Sequence, residues 1–147
     1  MSSTIATALQ QSLGPIGFVA GSDASIKQQQ NWSGLPPTVP LGVVYPRNTQ
    51  EVAQVLQHCQ RLLTPVVTQG GLTGLAGGAH PTANCVVLST EKMCGVSHVD
   101  TVMGTLTAWA GTPLQEIQNA AEAEGLYFPI DLGSRGSRTI GGNLATN

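Results

Sequence analysis

Gln69-Gly-Gly-Leu-Thr-Gly-Leu-Ala-Gly-Gly78 places five glycines in ten residues, between an apolar run at Pro65 to Thr68 and another at Asn84 to Ser89, with no Lys or Arg among them. Glycine lets successive backbone N–H groups turn to one side and lets a ligand come close to the main chain. The chemistry this points to is anion binding by partial charges, a backbone cradle of the kind that holds phosphates. A Walker loop is excluded, because no Gly-Lys-Ser/Thr ends the stretch and His80 is the only basic candidate nearby. The dinucleotide fingerprint is excluded as well, since Gly70, Gly71, Gly74, Gly77 and Gly78 never give the spacing i, i+2, i+5. Pro81 and the apolar strand after it deny the loop a following helix dipole. Taken alone, such a decapeptide also reads as a flexible surface turn.

A second glycine-bearing segment runs from Tyr127-Phe-Pro-Ile-Asp131 through Leu132-Gly-Ser-Arg-Gly-Ser-Arg138 to Thr139-Ile-Gly-Gly-Asn-Leu-Ala-Thr-Asn147. Arg135 and Arg138 are its only cations; they face a phosphate, a carboxylate or solvent. Asp131 and Thr73 read equally as ligand contacts and as turn residues, and Pro129 as the end of an extended segment. Cys59, Cys85 and Cys94 are odd in number and fit neither CxxC nor metal-ligand spacing, which points to reduced, mostly buried thiols. His58, His80 and His98 are scattered with no ligand partners at metal spacing, so no metal is expected and the histidines read as surface or loop residues.

The elements that position these segments alternate. Leu41-Gly-Val-Val-Tyr-Pro46 reads as a strand closed by proline. A helix follows, with Asn48 as cap, Glu51 three residues on, and Val52, Val55, Leu56, Cys59 and Leu63 as its inner stripe. Pro65 to Thr68 and Cys85 to Ser89 are short buried strands on either side of the glycine loop, and Thr105 to Ala110 is another. After Gly111, Thr112-Pro113-Leu114-Gln115 reads as a capping box with proline at the first helical position. Leu114, Ile117 and Ala121 form that helix's inner face and Gly125 its left-handed stop. Residues 1–38 are weakly specified: Ile5, Leu9 and Leu13 fit one short helix, followed by a Gln- and Pro-rich stretch around Trp32. This order predicts a mixed α/β or α+β domain.

The chain of 147 residues, 41% apolar, suits one hydrophobic core. Only 10% of residues are charged, against roughly 25% in ordinary soluble domains, so part of the surface is expected to lie under something else. A net charge of −2 gives no electrostatic footprint for nucleic acid or an anionic membrane. With no signal-peptide pattern and no apolar run of membrane-spanning length, a cytoplasmic protein is expected. The chain stops at Asn147 directly after a strongly patterned segment, which reads as truncation.

Three blocks in fixed order resemble the flavin-binding domain of the vanillyl-alcohol oxidase and p-cresol methylhydroxylase superfamily. They are Val43-Val-Tyr-Pro46 with Asn48 to Val52; the glycine loop; and Pro129-Ile-Asp-Leu-Gly-Ser134 with Thr139-Ile-Gly-Gly-Asn143 and Ala145-Thr-Asn147. The likeness covers roughly residues 39–147, with residues 1–38 as a lead segment. It implies an α+β fold, the N-terminal part of a p-cresol-methylhydroxylase-type FAD-binding domain with mixed β-sheets and flanking helices, truncated at its C-terminal side.

The wording Asp131-Leu-Gly-Ser-Arg-Gly-Ser137 before Ile140-Gly-Gly-Asn143 is most similar to D-2-hydroxyglutarate dehydrogenases, with D-lactate and glycolate enzymes as near neighbours. It argues against the peptidoglycan-precursor reductases that share the fold. Gln69 stands where many members have arginine, and Leu72 where members with covalent FAD have histidine, so noncovalent FAD is implied. Carried over residue by residue, Gly70, Gly71, Leu72, Thr73, Gly74, Leu75 and Gly78 contact the pyrophosphate. Pro46 sits near the adenine. Asp131, Leu132, Gly133 and Ser134, then Ile140, Gly141, Gly142 and Asn143, then Ala145 and Thr146, line the ribityl and flavin side. Gly71→Val is expected to block the pyrophosphate and to strain a backbone of positive φ.

The implied reaction is oxidation of a 2-hydroxy acid to the 2-oxo acid, hydride passing to FAD and electrons leaving to a separate acceptor. The base and the cations for the substrate carboxylate belong to a cap domain beyond residue 147, so no catalytic residue is named. A noncatalytic flavin- or phosphate-ligand-binding subunit that completes its site with a partner chain, and an inactive remnant, are the alternatives from other classes.

Overall fold

In the computed structural model, which describes residues 2–146, twelve residues of weak sequence signal open the fold as helix α1 (Ser2–Leu13). Ile5, Leu9 and Leu13 repeat at i, i+4, i+8 and are all buried, which is why this helix holds. It is followed by strand β1 (Phe18–Ala20), the short helix α2 (Ile26–Gln29) and β2 (Gly42–Val44). Next come α3 (Thr49–Arg61), β3 (Val66–Gln69) and β4 (Val86–Ser89). A hairpin of β5 (Val96–Asp100) and β6 (Thr105–Ala108), then α4 (Leu114–Ala123) and α5 (Ile140–Thr146), complete the described chain.

The first sheet has the order β1-β2-β4-β3, with β1 antiparallel and the other pairings parallel. Period-2 alternation separates its faces. Val44, Val86 and Leu88 pack with α1, Val55 and Cys59, whereas Val43, Val87, Cys85 and Ala24 form a second cluster with Tyr45 and Val67. Both faces of the central strands are covered, so β2 and β4 are buried throughout, as parallel strands usually are. The lead segment thus contributes an edge strand and a core helix to the same sheet as β2 to β4.

Helix α3 begins as expected, with Asn48 Oδ1 accepting from Glu51 N at 2.9 Å. Glu51 does not close the box on Asn48; its carboxylate accepts from Arg47 N and pairs with the Arg47 guanidinium, which holds the Glu51 carboxyl below the usual range. The inner stripe is shorter than the periodicity predicts. Leu56 is half exposed and Leu63 lies outside the helix at φ +51°, 90% exposed. The helix has already stopped: Leu63 N donates to Gln60 O and Thr64 N to Cys59 O, a Schellman closure that turns Leu63 into solvent.

The second sheet is the β5–β6 hairpin alone, antiparallel with a register shift between Val96 and His98. Helix α4 packs against β5, with Leu114, Ile117 and Ala121 buried as its spacing predicts, and Gly125 at φ +71° ends it. Its N-terminus departs from the expected capping box. Thr112 Oγ1 donates to Gly95 O and accepts from Gly95 N, both at 3.0 Å, and so ties the hairpin's start to α4 instead of capping the helix. Backbone carbonyls supply the cap: Leu114 N donates to Arg138 O and Gln115 N to Arg135 O. No helix among the described residues is long and apolar enough to cross a membrane.

Candidate functional site

Because β2, β4 and β3 are parallel, their C-terminal ends share one edge of the sheet. The glycine loop leaves β3 at that edge, and Pro46, buried, lies just beyond the end of β2 on the same side. In open sheets with parallel strands, ligands bind outside the carboxyl ends. The topology therefore brings the first and second blocks to one rim.

The third block meets the loop there. A Cβ on Gly70 would run into Thr139 Oγ1, and one on Gly71 would strike the Ser137 carbonyl oxygen and come within 2.7 Å of Arg138 Cα. These two glycines are required by the passage of residues 137–139 against the loop. Gly71 is not among the residues with positive φ; that conformation falls on Leu72 (φ +58°) and Gly77 (φ +82°). The strain expected at Gly71 is thus steric and not conformational. Gly74 and Gly78 have open space around them, and Leu75 is exposed, so this part of the loop is free for a ligand.

Residues 132–138 are wound on themselves. Arg135 N donates to Leu132 O, and Ser137 N and Arg138 N both donate to Ser134 O. Arg138 Nε donates to Ser134 Oγ at 2.9 Å, and Arg135 pairs with Asp131 at 3.2 Å in an exposed contact. Neither arginine lies in the glycine loop, and Asp131, Leu132 and Gly133 stay exposed along a shallow cleft. Beyond them Ile140 N donates to Thr112 O and Gly141 N to Ala110 O, which docks the next segment on the hairpin lobe.

That segment, to which the sequence assigns no secondary structure, is the helix α5. A Cβ on Gly141 would crowd Ala110, so the small residue is needed for α5 to approach. Ile140 and Gly141 line an apolar cleft of about 360 Å³ together with Leu106, Ile117, Tyr127 and Leu144. Ala145 and Thr146 are exposed at the far end, and Thr146 Oγ1 donates back to Gly142 O. Asn147 lies outside the described residues.

Two side-chain atoms at this junction are buried without a hydrogen-bond partner: Thr139 Oγ1 and Asn143 Nδ2. A hydroxyl and an amide NH₂ both donate, and buried donors are nearly always paired. Thr139 Oγ1 faces Gly70 and lies 3.4 Å from the position of a Cβ on Gly142, so it sits where the two glycine segments converge. Asn143 is among the ligand contacts expected from the sequence; Thr139 is not, although it stands directly before Ile140-Gly-Gly. Backbone N–H groups and neutral donors, with no carboxylate facing them in the loop, suit a phosphate oxygen and fit a pyrophosphate-bearing cofactor.

Nucleophilic chemistry finds no support in the thiols. Burial pushes the Cys59 thiol up, and burial with Glu116, 3.6 Å away, does the same at Cys94. Among the described residues no three His, Cys, Asp or Glu side chains gather as a metal site would need.

Residues 40–147 match the model of a family described as FAD binding domain. A curated protein of Oryza sativa subsp. indica named "Probable D-2-hydroxyglutarate dehydrogenase, mitochondrial" is 36% identical over 135 residues, 92% of this chain and 24% of that one. This chain therefore spans about a quarter of the length of that relative. Among solved structures, an alkyldihydroxyacetonephosphate synthase superposes with TM-score 0.87 at 21% identity, over 98% of this chain and 31% of its own. A p-cresol methylhydroxylase with substrate bound gives TM-score 0.72 at 18% identity, over 84% of this chain and 25% of its own. These two likenesses establish the fold.

Proposed function

The chain belongs to the family of FAD binding domains, and we propose that it forms the noncovalent FAD-binding portion of a flavin-dependent D-2-hydroxyacid dehydrogenase. The observation that carries the reading is the convergence of the glycine loop on Thr139, with the Thr139 hydroxyl and the Asn143 amide both buried and unpartnered. In this reading the backbone of Gly70, Gly71, Leu72, Thr73, Gly74, Leu75 and Gly78 holds the pyrophosphate, with Thr139 adding a side-chain donor there and Asn143 one on the ribityl side. Pro46 borders the adenine. Asp131 to Ser134, Ile140 to Asn143, Ala145 and Thr146 border the ribityl and ring side. Leu72 offers no nucleophile, so the cofactor stays unattached.

When bound, FAD supplies the hydride acceptor for oxidising a 2-hydroxy acid to its 2-oxo acid. This chain's part is to orient the cofactor and exclude water from one side of it. The base for the hydroxyl proton and the cations for the substrate carboxylate are assigned to a cap domain outside residues 1–147, and the electrons to a separate acceptor. D-2-Hydroxyglutarate is the first substrate to test, from the name of the rice relative. That name also places the relative in mitochondria, so fractionation of the native protein tests the cytoplasmic location proposed here.

This chain alone is expected to bind FAD weakly or not at all, so the experiment is a flavin-fluorescence titration of the protein extended through its natural continuation, with FAD and riboflavin, and competition by ADP. Binding of FAD, displacement by ADP and no binding of riboflavin are expected, because the cradle recognises phosphate. Equal binding of riboflavin, or no binding of FAD, would overturn the reading. A second reading, a flavin-binding subunit completed by a partner, draws on the exposed Tyr127 and Leu144 at the apolar cleft. Co-purification of a flavin-loaded partner would favour it over the single-chain dehydrogenase.

A further inference from the structure

Gln69 ends β3 and opens the glycine loop, and its side chain is almost completely buried. Its Nε2 donates to two carbonyl oxygens, Gln28 O at 3.1 Å and Ala79 O at 3.0 Å. A primary amide has two hydrogens, so both are used. One bond closes the neck of the loop from residue 69 to residue 79. The other fastens that neck to the lead segment. Gln69 Oε1 is left buried without a partner, which follows from the geometry: turned the other way, the oxygen would face two carbonyls.

A second fastening runs beside the first. His80 N donates to Gly77 O at 2.9 Å, His80 Nε2 lies 3.3 Å from Thr38 Oγ1, and Thr38 N donates to Gln29 O at 2.8 Å. The main chain of Gln69 is held separately, its carbonyl accepting from Thr90 N at 3.0 Å. The side-chain amide is therefore free to serve the neck and is not needed to keep β3 in register.

We propose that Gln69 is a positioning residue that locks the neck of the glycine loop to the lead segment, so that residues 28–38 act in cofactor retention. The retention part rests on the FAD reading above; the lock itself does not. Gln69→Met removes both donors at similar volume, and Gln69→Arg restores donors without an acceptor. Amide exchange of His80 and Thr38 in the protein without FAD reads the neck directly, with Trp109, bonded to Gly95 O in the hairpin, as the control.

In Gln69→Met the His80 and Thr38 amides exchange about tenfold faster, as loss of at least one hydrogen bond predicts, with Trp109 unchanged. FAD affinity falls in parallel, and Gln69→Arg recovers most of both. Unchanged exchange at His80 and Thr38 would overturn the lock, and so would equal acceleration at Trp109, which marks general destabilisation. Faster exchange with unaltered FAD affinity would overturn the role in retention. If the extended wild-type protein binds no FAD while the exchange result holds, the cofactor reading fails and the lock stands. Thr38→Val leaves Gln69 in place and removes the second fastening together with the Thr38 Oγ1 bond to Pro36 O; a tenfold acceleration at His80 in that variant would put the hold on the second fastening and overturn the role of Gln69, even if Gln69→Met does not fold.

Discussion

In the four-stranded sheet Val43, Val44, Val86 and Val87 are buried, Val44 and Val86 clustering with residues of α1 and α3, and Val43 and Val87 with Ala24, Cys85, Tyr45 and the neighbouring strand's Val67. In the β5–β6 hairpin no side chain is fully buried, and one flank opens into the apolar cleft. A two-stranded hairpin is marginal in water unless something packs on it. Here α4 packs on it, and Thr112 pins its first turn through Gly95. The candidate cofactor site joins the two regions, the glycine loop standing on the enclosed sheet and Thr139 with Asn143 on the hairpin side. One wall is set by a core, and the other by a few backbone and side-chain hydrogen bonds.

The largest effects should follow that division. Leu9→Ala removes a fully buried side chain from the enclosed core and should cost about 2–5 kcal/mol in urea denaturation. Leu144→Ala, at the exposed rim of the hairpin's cleft, should stay within about 0.5 kcal/mol. Similar losses from both would erase the contrast. Next in size is Thr112→Val, which keeps the shape but removes both bonds to Gly95; Gly95 O keeps Trp109 N as a donor, while Gly95 N, partly buried, loses the hydroxyl it donates to. A loss of about 1–3 kcal/mol is expected, with amide exchange accelerated in β5 and β6 and not in β4. Uniform acceleration across both sheets would mean that the hairpin is no weaker than the rest.

The site itself gives a smaller effect with opposite signs in two assays. Thr139 Oγ1 is buried and unpartnered, so Thr139→Val should leave the protein without FAD as stable or up to about 1 kcal/mol more stable. The same change should weaken FAD binding by about tenfold, the effect of one lost hydrogen bond to a charged group. Loss of stability without loss of affinity would place the hydroxyl in the fold and not in the site. Gly71→Val cannot make this separation, because its side chain would collide with the Ser137 carbonyl before any ligand arrives.

What the sequence carried was local. The amphipathic stripes of α1 and α4, the Asn48 cap and the Gly125 stop were legible because each depends on a few neighbouring residues. Strand β1 was not: Phe18-Val-Ala20 is three residues long and exists because Val44 and Val43 lie beside it. Val96-Ser-His-Val-Asp100 lacked an alternating apolar face because its hairpin is half exposed. Ile140-Gly-Gly-Asn143 carried no helix signal, since glycine weakens helices, yet α5 forms where Ala110 leaves room only for a small residue. Thr112 looked like a cap and proved to be a clamp, because a long-range partner, Gly95, competed for its hydroxyl. The glycine loop stood out by its composition, whereas the distinction between Gly70 and Gly71, which lie against residues 137–139, and Gly74 and Gly78, which stay open, depends on a segment nearly seventy residues later.

The smallest expected effect contrasts the covering helices of the two regions. Both close with the same pair of hydrogen bonds: Leu63 N to Gln60 O and Thr64 N to Cys59 O after α3, Gly125 N to Glu122 O and Leu126 N to Ala121 O after α4. The left-handed residue is leucine in one and glycine in the other, at φ +51° and +71°. A leucine held there is strained by roughly 1 kcal/mol, the steric penalty of a Cβ in that region. Leu63→Gly relieves it, gives up little burial because the side chain is 90% exposed, and raises the entropy of the unfolded chain. The net should be a gain of about 0.5 kcal/mol in urea denaturation with FAD affinity unchanged. Gly125→Ala, which imposes the same kind of strain on α4, should lose about 1 kcal/mol. If Leu63→Gly destabilises instead, the exposed leucine is covering apolar surface that matters, and the enclosed region relies on its periphery as the hairpin does.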